Sequence, residues 1–185
     1  MKIFYIGIYK YMCNWKEILK SYNLKDLYFF QRDTAKQVFV FISDTLIRRT
    51  YDGDPYQILY EHTANKYYCH LYRDHGLAVT LLTDRDYPHL VAKRLISKLF
   101  SYKKLTEKEL CDLHQQYGKP YEVDKVYKTQ ATIERTRTVM VDNINLIMNR
   151  GENLESLAEK TDLINDTAKK FLTKSKQMNK CCYIL

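Results

Sequence analysis

From Asp124 to Lys180 the chain contains no proline and one glycine, Gly151. Stepping alternately three and four residues through this stretch gives sixteen positions: Val126, Thr129, Ile133, Thr136, Met140, Asn143, Ile147, Arg150, Leu154, Leu157, Thr161, Ile164, Ala168, Phe171, Ser175 and Met178. Ten are apolar, four are small hydroxyl residues, and two, Asn143 and Arg150, are strongly polar. That is a heptad seam sustained over about seven heptads. As one helix it would run about 80 Å at 1.5 Å per residue. No globular core built from the rest of a 185-residue chain could cover that length. The seam therefore requires partner helices.

Arg150 interrupts the seam. A guanidinium there is costly unless its charge meets acceptors. It either snorkels out of a loose seam or forms a specific polar layer. Ile147 before it, and Leu154 and Leu157 after it, favour the layer, a device that fixes register and partner choice. Arginine offers five donors and no acceptor, so the partners must be acceptors such as glutamine amide oxygens.

The first 120 residues have other periods. Lys2–Tyr9 is rich in β-formers and reads as a strand, and Tyr28–Arg32 reads as a second, pairing with it as a hairpin. From Thr34 to Thr50 the period is helical. Val38, Phe41, Ile42, Thr45 and Leu46 share one face, and Val40 and Ile47 lie on the other. A helix that is apolar on two sides needs a partner on each: one is the sheet, and the other stays open. Asp52-Gly53-Asp54-Pro55 signals a turn. Strand-like runs follow at Tyr56–His62, Tyr67–Arg73 and Leu77–Thr83, with reversals at Ala64-Asn65 and Asp74-His75-Gly76. Pro88 opens a helix, and Thr106 with Glu109 fits a capping box for another, ended by Gly118 and Pro120. The predicted class is α+β, order β-β-α-β-β-β-α-α, with an antiparallel five-stranded sheet and helices on its faces.

Several functions are disfavoured. An apolar content of 45% argues against disorder over the whole length. No run approaches the roughly 18 apolar residues of a membrane span, and no signal peptide is read, so synthesis in the cytosol with reduced thiols is expected. A small GTPase lacks its phosphate-cradling G-x-x-x-x-G-K-[ST] loop here. A net charge of +8 leaves a nucleic-acid-binding module as an alternative. The charge is spread, however: residues 1–123 carry 19 Lys+Arg against 14 Asp+Glu, and residues 124–185 carry 11 against 8. His62, His70, His75, His89 and His114 form no catalytic or metal-binding spacing. Asp84 and Asp86 read as charges for the helix near Pro88, and Cys69 and Cys111 as buried small hydrophobes. No enzyme activity, cofactor or metal is expected.

Residues 124–180 resemble an R-SNARE motif, with Arg150 in the place of the arginine of the ionic central layer. "IMNRGENLESL" and the layers Val126, Ile133, Met140, Ile147, Leu154, Leu157, Ile164, Ala168, Phe171 and Met178 carry the similarity. Residues 1–120 resemble a longin domain, the profilin-like domain that precedes one subset of R-SNAREs, through "MKIFYIGIY", "FFQRDTAKQVFVF" and "LLTDRDYP". With no transmembrane segment, the likeness narrows to the lipid-anchored longin R-SNAREs. It implies a vesicle-docking and fusion protein that zips with three glutamine SNARE helices. Its longin domain would fold back on the SNARE segment and shelter the lipid, through an autoinhibitory contact at Val40, Phe41 and Ile47.

The last five residues, 181–185, are Cys-Cys-Tyr-Ile-Leu. Cys182 stands fourth from the end, as prenylation requires, so a prenyltransferase is an expected partner. Leu185 favours geranylgeranyl by that rule, while relatives more often end in Met, which leaves farnesyl open. One prenyl chain binds membrane marginally. Palmitate on Cys181 would supply the second signal, or a second prenyl group would. Lys169, Lys170, Lys174, Lys176 and Lys180 add attraction to an anionic leaflet. The expected locations are the cytosol and the cytoplasmic faces of Golgi, vesicle and endosomal membranes, with no nucleic-acid partner and no small-molecule substrate. The alternative is a lipidated longin-type adaptor without fusion activity.

Overall fold

The computed structural model describes residues 1–53, 56–62, 65–102, 104–123, 142–143 and 154–178. Strand β1 (Ile3–Tyr11) is buried on both faces through Tyr9, which makes it a central strand. It pairs antiparallel with β2 (Trp15–Tyr22) on one side and β5 (Leu77–Asp84) on the other. The sheet continues through β4 (Asn65–Asp74) and β3 (Tyr56–His62), both antiparallel to their neighbours. A two-residue strand β6 (Asp142–Asn143) adds to β3 in parallel, giving the order β2-β1-β5-β4-β3-β6. Helix α1 (Phe29–Arg49) covers one face. Helices α2 (His89–Ser101) and α3 (Glu107–Tyr117) cover the other, and a short α4 (Pro120–Val123) follows.

The class, and the order β-β-α-β-β-β-α-α of residues 1–120, are those expected from the sequence with one element moved, while the parallel sixth strand β6 adds to the five antiparallel strands expected. The second strand is Trp15–Tyr22, and Tyr28–Arg32 instead caps and opens α1. The aromatics that suggested a strand there stand in solvent: Tyr28 is 71%, Phe29 87% and Phe30 73% exposed. β2 alternates exposed and half-buried residues along an edge: Lys16, Ile18 and Lys20 face water and Glu17 turns inward to the Tyr5 hydroxyl, so apolar and charged residues fall on both sides and dilute the strand signal.

Local chemistry explains the joints. His75 and Gly76 form the β4–β5 turn with φ of 46° and 73°, the paired positive values of a type I′ reversal. Asp74 Oδ1 accepts from the His75 N–H at 2.9 Å. Thr106 and Glu109 form the reciprocal capping box at the start of α3. Gly7 is required by its neighbour: a Cβ there would collide with the Tyr5 ring, whose hydroxyl crosses to Tyr9 Oη at 2.7 Å and donates to Glu17 at 2.6 Å. Asp84 does not serve the α2 N-terminus as its position suggested. Its carboxylate pairs with the Met1 ammonium at 2.9 Å, and Pro88 caps α2 without a side-chain bond. Cys69 is buried as expected, whereas Cys111 is exposed.

Two histidines are built into the α2–α3 side. His114 Nε2 donates to the Ile3 carbonyl at 3.0 Å, so its Nδ1 accepts from Ser21 Oγ at 2.7 Å. His70 is fully enclosed, and burial pushes its imidazole down to about 3, with His89 adding a smaller repulsion. Above the unfolded value of about 6.5 both states carry a neutral ring, and the contribution is fully present. As pH falls below that, the unfolded chain takes a proton that the folded chain refuses until about 3. Folding stability should therefore drop by about 2 kcal/mol from this group between pH 7 and pH 5. Urea titrations at the two pH values check this, and an unchanged midpoint would refute it.

Candidate functional site

Two described helices follow β6: α5 (Leu154–Glu159) and α6 (Asp166–Met178). They lie within the region where the sequence shows one continuous seam, and residues 160–165 break it. Two side chains make the break. Thr161 Oγ1 accepts from the Leu163 N–H at 3.2 Å. Asn165 caps α6: its Oδ1 accepts from the Ala168 N–H at 2.9 Å, and its carbonyl accepts from Lys169. Asp166 adds an acid to the positive end of that helix.

α6 packs along α1. Asn165 N–H donates to Gln37 Oε1 at 3.0 Å, which pins the start of α6 to the middle of α1. One turn beyond Gln37 stands Phe41, only 4% exposed. At 3.6 residues per turn Phe41 points about 200° away from Phe39. Phe39 faces the sheet, with ring contacts to Phe4 and Tyr5. The sheet cannot bury both, and the described element packed on the outward side of α1 is α6. Val40 is partly buried against the same cluster. Ile47 turns to within about 80° of Phe39, on the sheet's side, and is fully buried.

The other partners come from the seam. Leu154, Ile164 and Ala168 are buried in one cluster with Phe41, Val38 and Leu46 of α1. Leu157 and Phe171 are partly buried against it. Ala158 and Leu172 are buried there as well, although neither is a seam position. They stand four residues after Leu154 and Ala168, one turn along the same helix face, so Leu172 follows Ile164 and Ala168 by a second successive four-residue step where the seam alternates three and four. Asn165-Asp166 before Ala168, Phe171 and Leu172, which share one helix face, was the legible signal for the α6 start. Met178 ends α6. Val126, Ile133, Met140, Ile147, Arg150, Cys181 and Cys182 lie outside the described residues.

The candidate chemistry is thus apolar and steric. A side chain cannot face α1 and a second set of helices at once. Leu154, Ile164 and Ala168 are spoken for in this arrangement. Among the described residues no helix is long and apolar enough to cross a membrane.

Known proteins resemble this chain along its whole length. The family model for synaptobrevin matches residues 125–184. A putative synaptobrevin homolog YKT6 of Dictyostelium discoideum is 32% identical, with 98% of each chain covered. The synaptobrevin homologs YKT6 of Yarrowia lipolytica and Saccharomyces cerevisiae are 29% and 28% identical, with both chains covered in full. These matches run through the α+β domain as well as the seam, and the family is not one of enzymes. The chain belongs to the YKT6-type synaptobrevin homologues, the lipid-anchored longin R-SNAREs.

Proposed function

We propose that this R-SNARE drives membrane fusion by exchanging an intramolecular partner for three intermolecular ones. The observation that carries the reading is the burial of Leu154, Ile164 and Ala168 in the one cluster that also holds Val38, Phe41 and Leu46 of α1, with α6 packed along α1. The first three are seam residues, so the folded-back chain and the four-helix bundle compete for the same side chains. Residues 1–120 act as a longin unit, 124–180 as the SNARE motif and 181–185 as the lipidation tail. In the folded-back state α1 masks part of the seam through Phe41 and its neighbours, which limits an otherwise sticky surface. In the assembled state the seam becomes one helix beside three glutamine SNARE helices on an opposing membrane. Each well-buried Leu, Ile or Phe then contributes roughly 1.5–3 kcal/mol. Arg150 meets three glutamines and fixes register.

Lipid on Cys182 and Cys181 holds the other end of the helix to the membrane, so zippering towards Met178 draws two bilayers together. Golgi, vesicle and endosomal membranes, on their cytoplasmic faces, are the sites this reading assigns, with a cytosolic pool in the folded-back state. The test is assembly of the full chain with cognate glutamine SNARE motifs. The reading predicts a 1:1:1:1 complex with a gain of helix beyond that of the separate chains. Arg150→Ala should keep assembly but lower the melting temperature and admit shifted registers, read by cross-linking between layers. No assembly with any glutamine triplet would overturn the reading and leave a lipidated longin adaptor.

A further inference from the structure

The β1–β2 hairpin ends in a tip that helix zippering leaves unused. The two strands close through the pairs Lys10↔Lys16 and Tyr11↔Trp15, and Met12, Cys13 and Asn14 form the turn. Met12 is 54% and Tyr11 53% exposed, and Cys13 is exposed beside them. A methionine and a tyrosine held side by side in water mark an interaction surface.

The tip is fixed rather than loose. Tyr11 N–H donates to the Gly76 carbonyl at 2.8 Å, and Met12 N–H to the Asn14 carbonyl at 3.1 Å. Asn14 Oδ1 accepts from the Trp15 N–H at 2.9 Å and from Arg48 Nη1 at 2.5 Å, which ties the turn to the end of α1. The Tyr11 and Trp15 rings meet edge-on with centres 5.4 Å apart, and the Arg73 guanidinium lies over the Trp15 ring at 5.1 Å. Little ordering remains to be lost when such a tip meets a partner.

The register selects the partner's chemistry. Back from the turn, the layers are Met12 and Cys13, then Tyr11 opposite Trp15, then Lys10 opposite Lys16. At about 3.4 Å per residue these layers span about 7 Å. Apolar tip, aromatic ring and ammonium in that order follow the gradient of a bilayer boundary. Aromatics sit there at the headgroup level, lysines reach back to the phosphates, and amphipathic surfaces enter by about 5–10 Å. A groove on another protein demands no such gradient.

The lysine layer points the same way. Like charges directly opposite each other on a ladder repel, and an anion meeting both relieves the cost. Neither Lys10 nor Lys16 pairs with an acid among the described residues. The nearby Arg48 and Arg73 are already matched, by Asp44 and Asp52. Asp74 stands two strands away in β4 and accepts from the His75 N–H.

We propose that the β1–β2 tip is a membrane contact, in which Tyr11 and Met12 enter the headgroup region of an anionic leaflet and Lys10 and Lys16 meet its phosphates. The contact needs neither the lipid anchor nor the release of α6, so it stands apart from the fusion reading. On an anchored chain it sets which end of the domain faces the bilayer.

Trp15 is the chain's one tryptophan, so its fluorescence reports on the tip alone. The unlipidated full chain is titrated with vesicles of phosphatidylcholine carrying one-quarter phosphatidylserine, with and without a phosphatidylcholine spin-labelled at a shallow acyl position. Saturable binding is expected, with a blue shift of Trp15 emission and quenching by the label. Vesicles of phosphatidylcholine alone should bind about tenfold more weakly or worse. Tyr11→Ser combined with Met12→Ser should cost about tenfold or more in affinity and lose the quenching, while Met12→Leu should match the wild type. Lys174→Gln with Lys176→Gln, which weakens the other basic surface, should keep the quenching of the bound chain. No binding by the wild type, binding without Trp15 quenching, loss of quenching in the lysine variant, or full binding and quenching by the double serine variant would each overturn the proposal. A double serine variant that binds vesicles normally but assembles poorly with glutamine SNARE helices would make the tip a protein contact and overturn it equally.

Discussion

Replacing Phe41 with glutamate is expected to raise the fraction of chains whose SNARE segment is released by about two orders of magnitude. Phe41 is 4% exposed on the side of α1 turned away from the sheet. In the folded-back state a carboxylate there would be buried without a partner, at a cost of about 3 kcal/mol or more. In the released state the same carboxylate would face water at little cost. A differential of that size is about a hundredfold in the equilibrium. Assembly with glutamine SNARE helices should accelerate by a similar factor, because the seam no longer waits for α6 to leave α1. The lipidated variant should also shift from cytosol to membranes. Stopped-flow assembly and cytosol-to-membrane partitioning read the two effects. Phe41→Leu, which keeps the apolar contact, should stay near wild type. Equal assembly rates and unchanged partitioning for Phe41→Glu would remove the masking role assigned to α1.

Cys182→Ser should have an effect as large on the membrane side. A single lipid chain gives marginal, reversible attachment, with a binding constant of about 10⁴ M⁻¹, and two chains give a stable one. On the proposed anchor Cys182 carries the prenyl group, so its loss would also remove the step that first brings Cys181 to a membrane. The variant should lose both signals and fall to the soluble fraction, with at least a tenfold drop in its membrane-bound share. The lysines of 169–180 contribute about 1 kcal/mol each at an anionic leaflet and should not compensate. Cys181→Ser should show an intermediate, reversible attachment. Fractionation and palmitate labelling distinguish these outcomes, and a Cys182→Ser chain that stays on membranes would contradict the assignment of the anchor.

The sequence made some parts of the molecule readable and hid others for physical reasons. The β3–β4–β5 run was legible because turn chemistry punctuates it, with His75-Gly76 at a true type I′ reversal. The α3 start was legible because its capping box involves only residues three apart. β2 was not, because an edge strand with apolar and charged residues on both sides carries little hydrophobic signal. The exposed aromatics at Tyr28–Phe30 drew the strand assignment to the wrong place.

The candidate site divides in the same way. The seam follows a heptad period, which fits the proposed helix bundle rather than the chain alone. The folded-back arrangement uses a different set, in which Ala158 and Leu172 join Leu154 and Ala168 on the faces of short straight helices. One period is written strongly in the sequence, and the other is superimposed on it at four-residue steps. The two-sided pattern of α1 announced that a second partner exists. Identifying it as α6 required the Gln37–Asn165 bond and the position of Phe41 relative to Phe39.

The central claim is that one set of side chains serves two exclusive partners. Distance measurement between spin labels at Asp33 on α1 and Thr167 on α6 tests it most directly, since both positions are exposed and flank the Gln37–Asn165 contact. The free chain should give one short, narrow distance. Addition of three glutamine SNARE helices should abolish it in step with complex formation and replace it with a long, broad distribution. A short distance that persists in the fully assembled complex would contradict the account.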